Sequence, residues 1–109
     1  MADAEAAFDA ELARDYEVLK NEVGYDASRF KQMLDELGGV ETARRLLRGH
    51  THSYGLDRLW RTGQLGMSLE ASVLKPGFAP LFTEDELKVA RFRLASYGFD
   101  VERFLRELG

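Results

Sequence analysis

The stretch Gly24-Tyr25-Asp26-Ala27-Ser28-Arg29-Phe30 returns near the other end of the chain as Gly98-Phe99-Asp100-Val101-Glu102-Arg103-Phe104. Glycine, an aromatic, aspartate, two variable positions, arginine and phenylalanine recur in the same order. The phrase is one of folding rather than of binding. A glycine adopts the left-handed conformation that closes a helix. An aspartate two residues later is a good N-cap, because its carboxylate accepts a bond from an unpaired amide of the next turn. The aromatic before that cap and the phenylalanine at the fourth helical position form the hydrophobic staple that sets how the chain enters the helix. The phrase therefore reads as "end a helix, turn, start another". Phe82-Thr83-Glu84-Asp85-Glu86-Leu87 says the same in other letters: Thr83 caps, Glu86 completes the S/T-x-x-E box, and Phe82 staples to Leu87.

Between these junctions the apolar residues keep helical spacing. Phe8, Leu12, Tyr16, Leu19 and Val23 form one stripe on a helix over about 3–23. Shorter helices are expected over about 27–37, 40–48, 54–62 and 68–74, with Leu56, Leu59 and Trp60 inward on the fourth, and Ser53 and Ser68 as caps. Two more are expected over about 84–97, carrying Leu87, Ala90, Leu94 and Tyr97, and over 101–108. Both prolines fall in Lys75-Pro76-Gly77-Phe78-Ala79-Pro80-Leu81-Phe82, read as an extended strap laid over the bundle with aromatics on show. No stretch alternates with a period of two. The expectation is an all-α, compact bundle of six to seven mostly short helices in a single domain over 1–109.

A chain of 109 residues with 45% hydrophobic and 31% charged residues fits one soluble domain. It has no run of about 18 apolar residues that would span a bilayer. The opening Met1–Asp15 is acidic and amphipathic, without the basic start and apolar middle of a secretory signal. A cytoplasmic location is expected. The absence of cysteine excludes disulfides and thiolate chemistry. Net charge is −4, unevenly spread: −6 over residues 1–39, +3 over 40–62 and −1 over 63–109.

Three stretches, GYDASRFKQMLDELGGVETARRLL, YGLDRLWRTGQLGMSLEASVL and APLFTEDELKVARFRL, resemble a family of small, mostly uncharacterised bacterial proteins. The resemblance implies an all-helical bacterial cytoplasmic protein and no catalytic residue.

Chemistry-bearing patterns are sparse. Phosphate-cradling glycine motifs and H-E-x-x-H do not occur. Thr51-His52-Ser53-Tyr54-Gly55 lacks the first glycine of a nucleophile elbow and follows a helix rather than a strand. His50 and His52 share one loop, but a closed zinc site needs about four ligands and no cysteine is present. No cofactor or metal is expected, and Glu84-Asp85-Glu86 suits a helix N-terminus, where negative charge is favoured. The arginines remain. Arg44 and Arg48 lie on one face at i, i+4, Arg45 beside them pairs with Glu41, and Arg58 and Arg61 sit one turn apart on the next helix. Three readings follow. The arginines bridge to the acidic first helix, within the fold or across a dimer. Together with Phe78 and Leu81 they form a surface for a protein partner or a second copy. Or residues 54–62, with Tyr54, Arg58, Arg61 and Thr62 outward, act as the recognition helix of a helix-turn-helix, although the net negative charge is unlike that of DNA-binding domains. The expectation is a non-enzymatic protein-interaction module, with a nucleic-acid-associated regulator as the alternative.

Overall fold

The computed structural model describes residues 3–23, 28–49 and 55–108. Among them the chain is all helical, with no strand. Its α-helices are α1 (Asp3–Val18), α2 (Ser28–Leu37), α3 (Gly39–Arg48), α4 (Leu56–Arg61), α5 (Leu69–Leu74), α6 (Glu84–Ala95) and α7 (Val101–Leu108). The first helix widens into a π-helical turn over Leu19–Val23, and single 3-10 turns occupy Leu65–Met67 and Ala79–Leu81. The bundle is compact, with a radius of gyration of 12.8 Å against about 13 Å for a domain of this size. No described helix is long and apolar enough to cross a membrane.

The junction between α6 and α7 shows why the helices break where they do. Gly98 has φ +75, its amide donates to the Ala95 carbonyl at 2.9 Å, and the Phe99 amide donates to Leu94 at 3.1 Å. This pair of bonds is a Schellman closure, which satisfies carbonyls that the helix end leaves bare. Asp100 then accepts the Arg103 amide at 3.0 Å, and the Phe99 and Phe104 rings meet at 5.4 Å. Cap and staple are both present. The earlier copy of the phrase, at Gly24–Ala27, lies outside the described residues. At the start of α6 the box is complete: Thr83 Oγ1 accepts the Glu86 amide at 3.2 Å and Glu86 Oε1 accepts the Thr83 amide at 2.9 Å.

The centre of the fold is α5. All six of its residues are buried, its cap is Ser68 accepting the Ala71 amide at 3.1 Å, and it packs chiefly on α6 and also on α3. The stripe that runs along α1 (Phe8, Leu12 and Tyr16) into Leu19 of the π-helical turn is buried, and α1 closes one side against α3 and α2. That approach is close enough to dictate a glycine. A Cβ on Gly39 would lie 2.6 Å from Asp9 Oδ1 and 3.0 Å from Phe8 Cδ2. Asp9 takes advantage of the gap by accepting the Gly39 amide at 2.6 Å. A side chain from α1 thus does the capping that Gly38, the residue before α3, has no side chain to do.

Several expectations change. The 75–82 segment is coiled, not extended. The Phe78 and Ala79 amides both donate to the Lys75 carbonyl, at 2.9 and 2.8 Å, and Pro80 sits inside the following 3-10 turn, where its fixed φ suits a tight turn. Its aromatics face inward: Phe78 and Phe82 present edges to Phe8 at 5.1 and 5.4 Å. Phe82 is buried, and Phe78 and Leu81 are half-buried against the core. On the short α4, Leu56 and Leu59 fill the inner stripe, and Trp60, expected inward, is 51% exposed. That helix begins at Leu56 behind Gly55; Ser53, expected as its cap, lies outside the described residues.

Candidate functional site

The arginines of α3 and α4 divide into two groups. Arg44 donates through Nη2 to the Leu81 carbonyl at 2.9 Å, and its Nε lies 3.7 Å from Glu86 Oε1. Arg48 approaches Glu86 Oε2 at 3.7 Å. Both therefore turn toward α6, not toward the acidic first helix that charge counting suggested. Glu86 is buried and already bonded within the capping box, so one carboxylate serves the helix cap and two guanidinium groups. Arg45 pairs with Glu41 at 3.1 Å on the surface. Surface ion pairs of this kind contribute about 0–1 kcal/mol each. They mainly set where the side chains point. Arg58 and Arg61 lie exposed on α4.

Trp60 stands beside them. Its ring meets that of Tyr97 at 5.8 Å with a 44° tilt, and the Tyr97 hydroxyl donates to Asp57. That bond holds the Tyr97 phenol above its ordinary value, with burial and the negative charge of Asp57 adding to the effect. Asp57, Trp60 and Arg61 come from α4 and Tyr97 from the turn that follows α6, so the patch is a small aromatic platform braced from two parts of the chain. Phe92, 75% exposed, stands on the outer face of α6. Phe78 and Leu81, expected on the same surface as the arginines, are half-buried, whereas Arg58 and Arg61 are exposed. Phe78 and Leu81 pack against the core, Phe78 with its ring on Phe8 of α1, and the Leu81 carbonyl accepts from Arg44.

No protein-family model matches the chain, and no curated protein or solved structure is found to be similar to it.

One ionic centre escaped the reading of the sequence. Arg93 of α6 is buried, its side chain only 7% exposed, against Glu70 of α5 at 0%. Its Nη1 donates to Glu70 Oε2 at 3.2 Å and to the Leu46 carbonyl at 3.0 Å, and its Nη2 donates to the carbonyls of Gly49 at 2.9 Å and Leu47 at 3.4 Å. A cation placed on the last carbonyls of a helix satisfies bare acceptors and meets the negative end of the helix dipole. Arg93 thus fastens the C-terminal end of α3 to α5 and α6. The signal was present in the spacing: Arg93 lies three residues after Ala90 and next to Leu94, on the inward stripe of α6.

An open cleft of about 490 Å³ borders the first turn of α3, with Glu5, Asp9, Glu41 and Arg44 among its lining residues. Asp9 is bonded to Gly39 and Arg44 to Leu81, so its polar groups serve the fold. Among the described residues no group of three or more His, Asp or Glu is placed to hold a metal ion. His50, His52, Ser53 and Tyr54 lie outside the described residues.

Proposed function

We propose that the chain is a non-enzymatic, cytoplasmic protein-interaction module that engages a partner protein through the α4 face, with Trp60 as the anchor and Arg58 and Arg61 beside it. The observation that supports this most is the half-exposed Trp60 braced against Tyr97. Tryptophan, tyrosine and arginine dominate the binding energy of protein interfaces, where a few side chains carry most of the affinity. A braced ring also loses little rotational freedom on docking, so more of its buried area is retained as affinity. Arg44, Arg45 and Arg48, engaged with Glu86 and Glu41, act on this reading as a structured rim, and Phe78 and Leu81 act as packing.

The test is affinity capture from native extract, with and without nuclease, by the wild-type chain and by Trp60→Ala and Arg58→Ser/Arg61→Ser variants whose helical circular dichroism is unchanged. Nuclease-resistant capture of a defined protein, or of the chain itself, that weakens at least about tenfold in both variants is the expected result. Undiminished capture by both variants overturns the reading. The nucleic-acid alternative draws on the same five arginines over two consecutive helices. It requires nuclease-sensitive binding that falls steeply as salt rises, because bound phosphates release counterions. The net charge of −4 and the carboxylates against three of those arginines weigh against it.

A further inference from the structure

We propose that the α4 face takes a short acidic segment of its partner, with an apolar side chain laid on Trp60 and carboxylates that meet Arg58 and Arg61. This rests on the partner surface proposed above and adds the chemistry of what binds there. Leu56 and Leu59 are buried, and Asp57, Arg58, Trp60 and Arg61 are exposed. At about 100° of turn per residue, the outer side of α4 then carries Trp60, Asp57, Arg61 and Arg58 in that order around the helix. The indole borders the face on one side, where Tyr97 braces it at 5.8 Å. Guanidinium groups hold the other side. Asp57, the one carboxylate on the helix, is turned toward the brace by the Tyr97 hydroxyl that it accepts. The Arg61 charge acts on the same phenol, which sets it beside the aromatic pair.

Charge decides for a short run of carboxylates over a longer polyanion. Arg44, Arg45 and Arg48 are already set against Glu86 and Glu41, and α4 itself offers two guanidinium groups one turn apart. A nucleic-acid backbone, charged at every phosphate, would run past them onto a chain whose net charge is −4. A short acidic segment would not. At physiological salt, exposed charges more than about 8 Å away are largely screened, so such a segment responds to α4 and not to the total. Arginine suits it, because the planar fork meets both oxygens of a carboxylate. An extended peptide rises about 3.3 Å per residue and a helix is about 10–12 Å across. An apolar anchor with carboxylates two or three residues away therefore spans the face.

Fluorescence anisotropy tests this with a dye-labelled synthetic peptide that carries one leucine and then Glu-Asp-Glu in a glycine–serine frame. Its neutral twin carries Gln-Asn-Gln instead. The full chain is expected to bind the acidic peptide saturably, and at low salt at least about threefold more tightly than the twin, as two exposed ion pairs allow. Raising salt should remove most of that preference. Arg58→Ser/Arg61→Ser should abolish the preference and leave the neutral peptide's binding level, whereas Trp60→Ala should weaken both peptides about tenfold. No saturable binding up to about 1 mM peptide, equal binding of the two peptides, or a preference that survives in the arginine variant overturns the proposal. Tighter, arginine-dependent binding of a phosphopeptide or a single-stranded oligonucleotide of equal charge also overturns it, and assigns the face to phosphate. Should capture from extract depend on Trp60 while the acidic peptide fails to bind, the partner surface stands and its acidic partner falls. Capture undiminished in both variants removes the surface and this proposal with it.

Discussion

Replacing Arg93 by Met removes four interactions at one stroke and leaves a similar volume behind. Glu70 is fully buried, its Oε1 has no hydrogen-bond partner, and its Oε2 depends on Arg93. Breaking a buried pair by deleting one member costs about 3–5 kcal/mol, because the remaining charge stays uncompensated. The carbonyls of Leu46, Leu47 and Gly49 also lose their donor, but Gly49 is exposed and can recover water. The loss is expected to be about 4 kcal/mol, a large share of the roughly 5–15 kcal/mol that holds a domain together. In Arg93→Met/Glu70→Met the stranded carboxylate is gone and mainly the carbonyls remain unserved, so the double variant should lie only about 1–2 kcal/mol below the wild type. Urea unfolding of the wild type, Arg93→Met, Glu70→Met and the double variant, followed by circular dichroism with a common slope, gives the cycle directly. A single-variant loss below about 1 kcal/mol would refute the reasoning. So would a double variant no more stable than Arg93→Met.

Other consequences are more local. Gly39→Ala places a methyl group 2.6 Å from Asp9 Oδ1 and 3.0 Å from Phe8, and should cost about 1–3 kcal/mol in thermal unfolding; Gly77→Ala, with nothing within 4 Å, should be near neutral. Thr83→Ala breaks the capping box of α6 and should cost about 1 kcal/mol in urea unfolding. Asp15 has its folded value raised from 3.8 to about 6, so its favourable contribution is complete below about pH 4 and is lost as pH rises through 6. Asp15→Asn should therefore be about 1–2 kcal/mol more stable than the wild type at pH 7.5, a figure reduced for residual water, with the gain shrinking toward pH 4.5 when both are unfolded in urea.

What the sequence made legible was chemistry confined to a few neighbouring residues. The Gly98–Phe104 junction and the Thr83–Glu86 box follow from hydrogen bonds between positions three to five apart, and their letters name them. The bundle's interior was harder to read, because a charged residue on an inward stripe is assigned outward by default. Arg93 shares its stripe with Ala90 and Leu94, but its justification lies in carbonyls of α3 more than forty residues away. Arg44 and Arg48 likewise turn to Glu86 because α3 packs on α6, a proximity that charge counting along the chain cannot supply. Trp60 fits the spacing of Leu56 and Leu59, yet a six-residue helix presents too narrow an inner face for all three. The strap misled for a different reason. Its two prolines read as extended chain, whereas the Lys75 carbonyl, accepting two amides, winds it into turns.

The α4 face can be interrogated without a label, since Trp60 is the only tryptophan in the chain. Its emission should move to shorter wavelength, and its quenching by acrylamide should fall, as the captured partner is titrated in at neutral pH. Saturable binding of that partner with emission and quenching unchanged would contradict the assignment of Trp60 as the anchor.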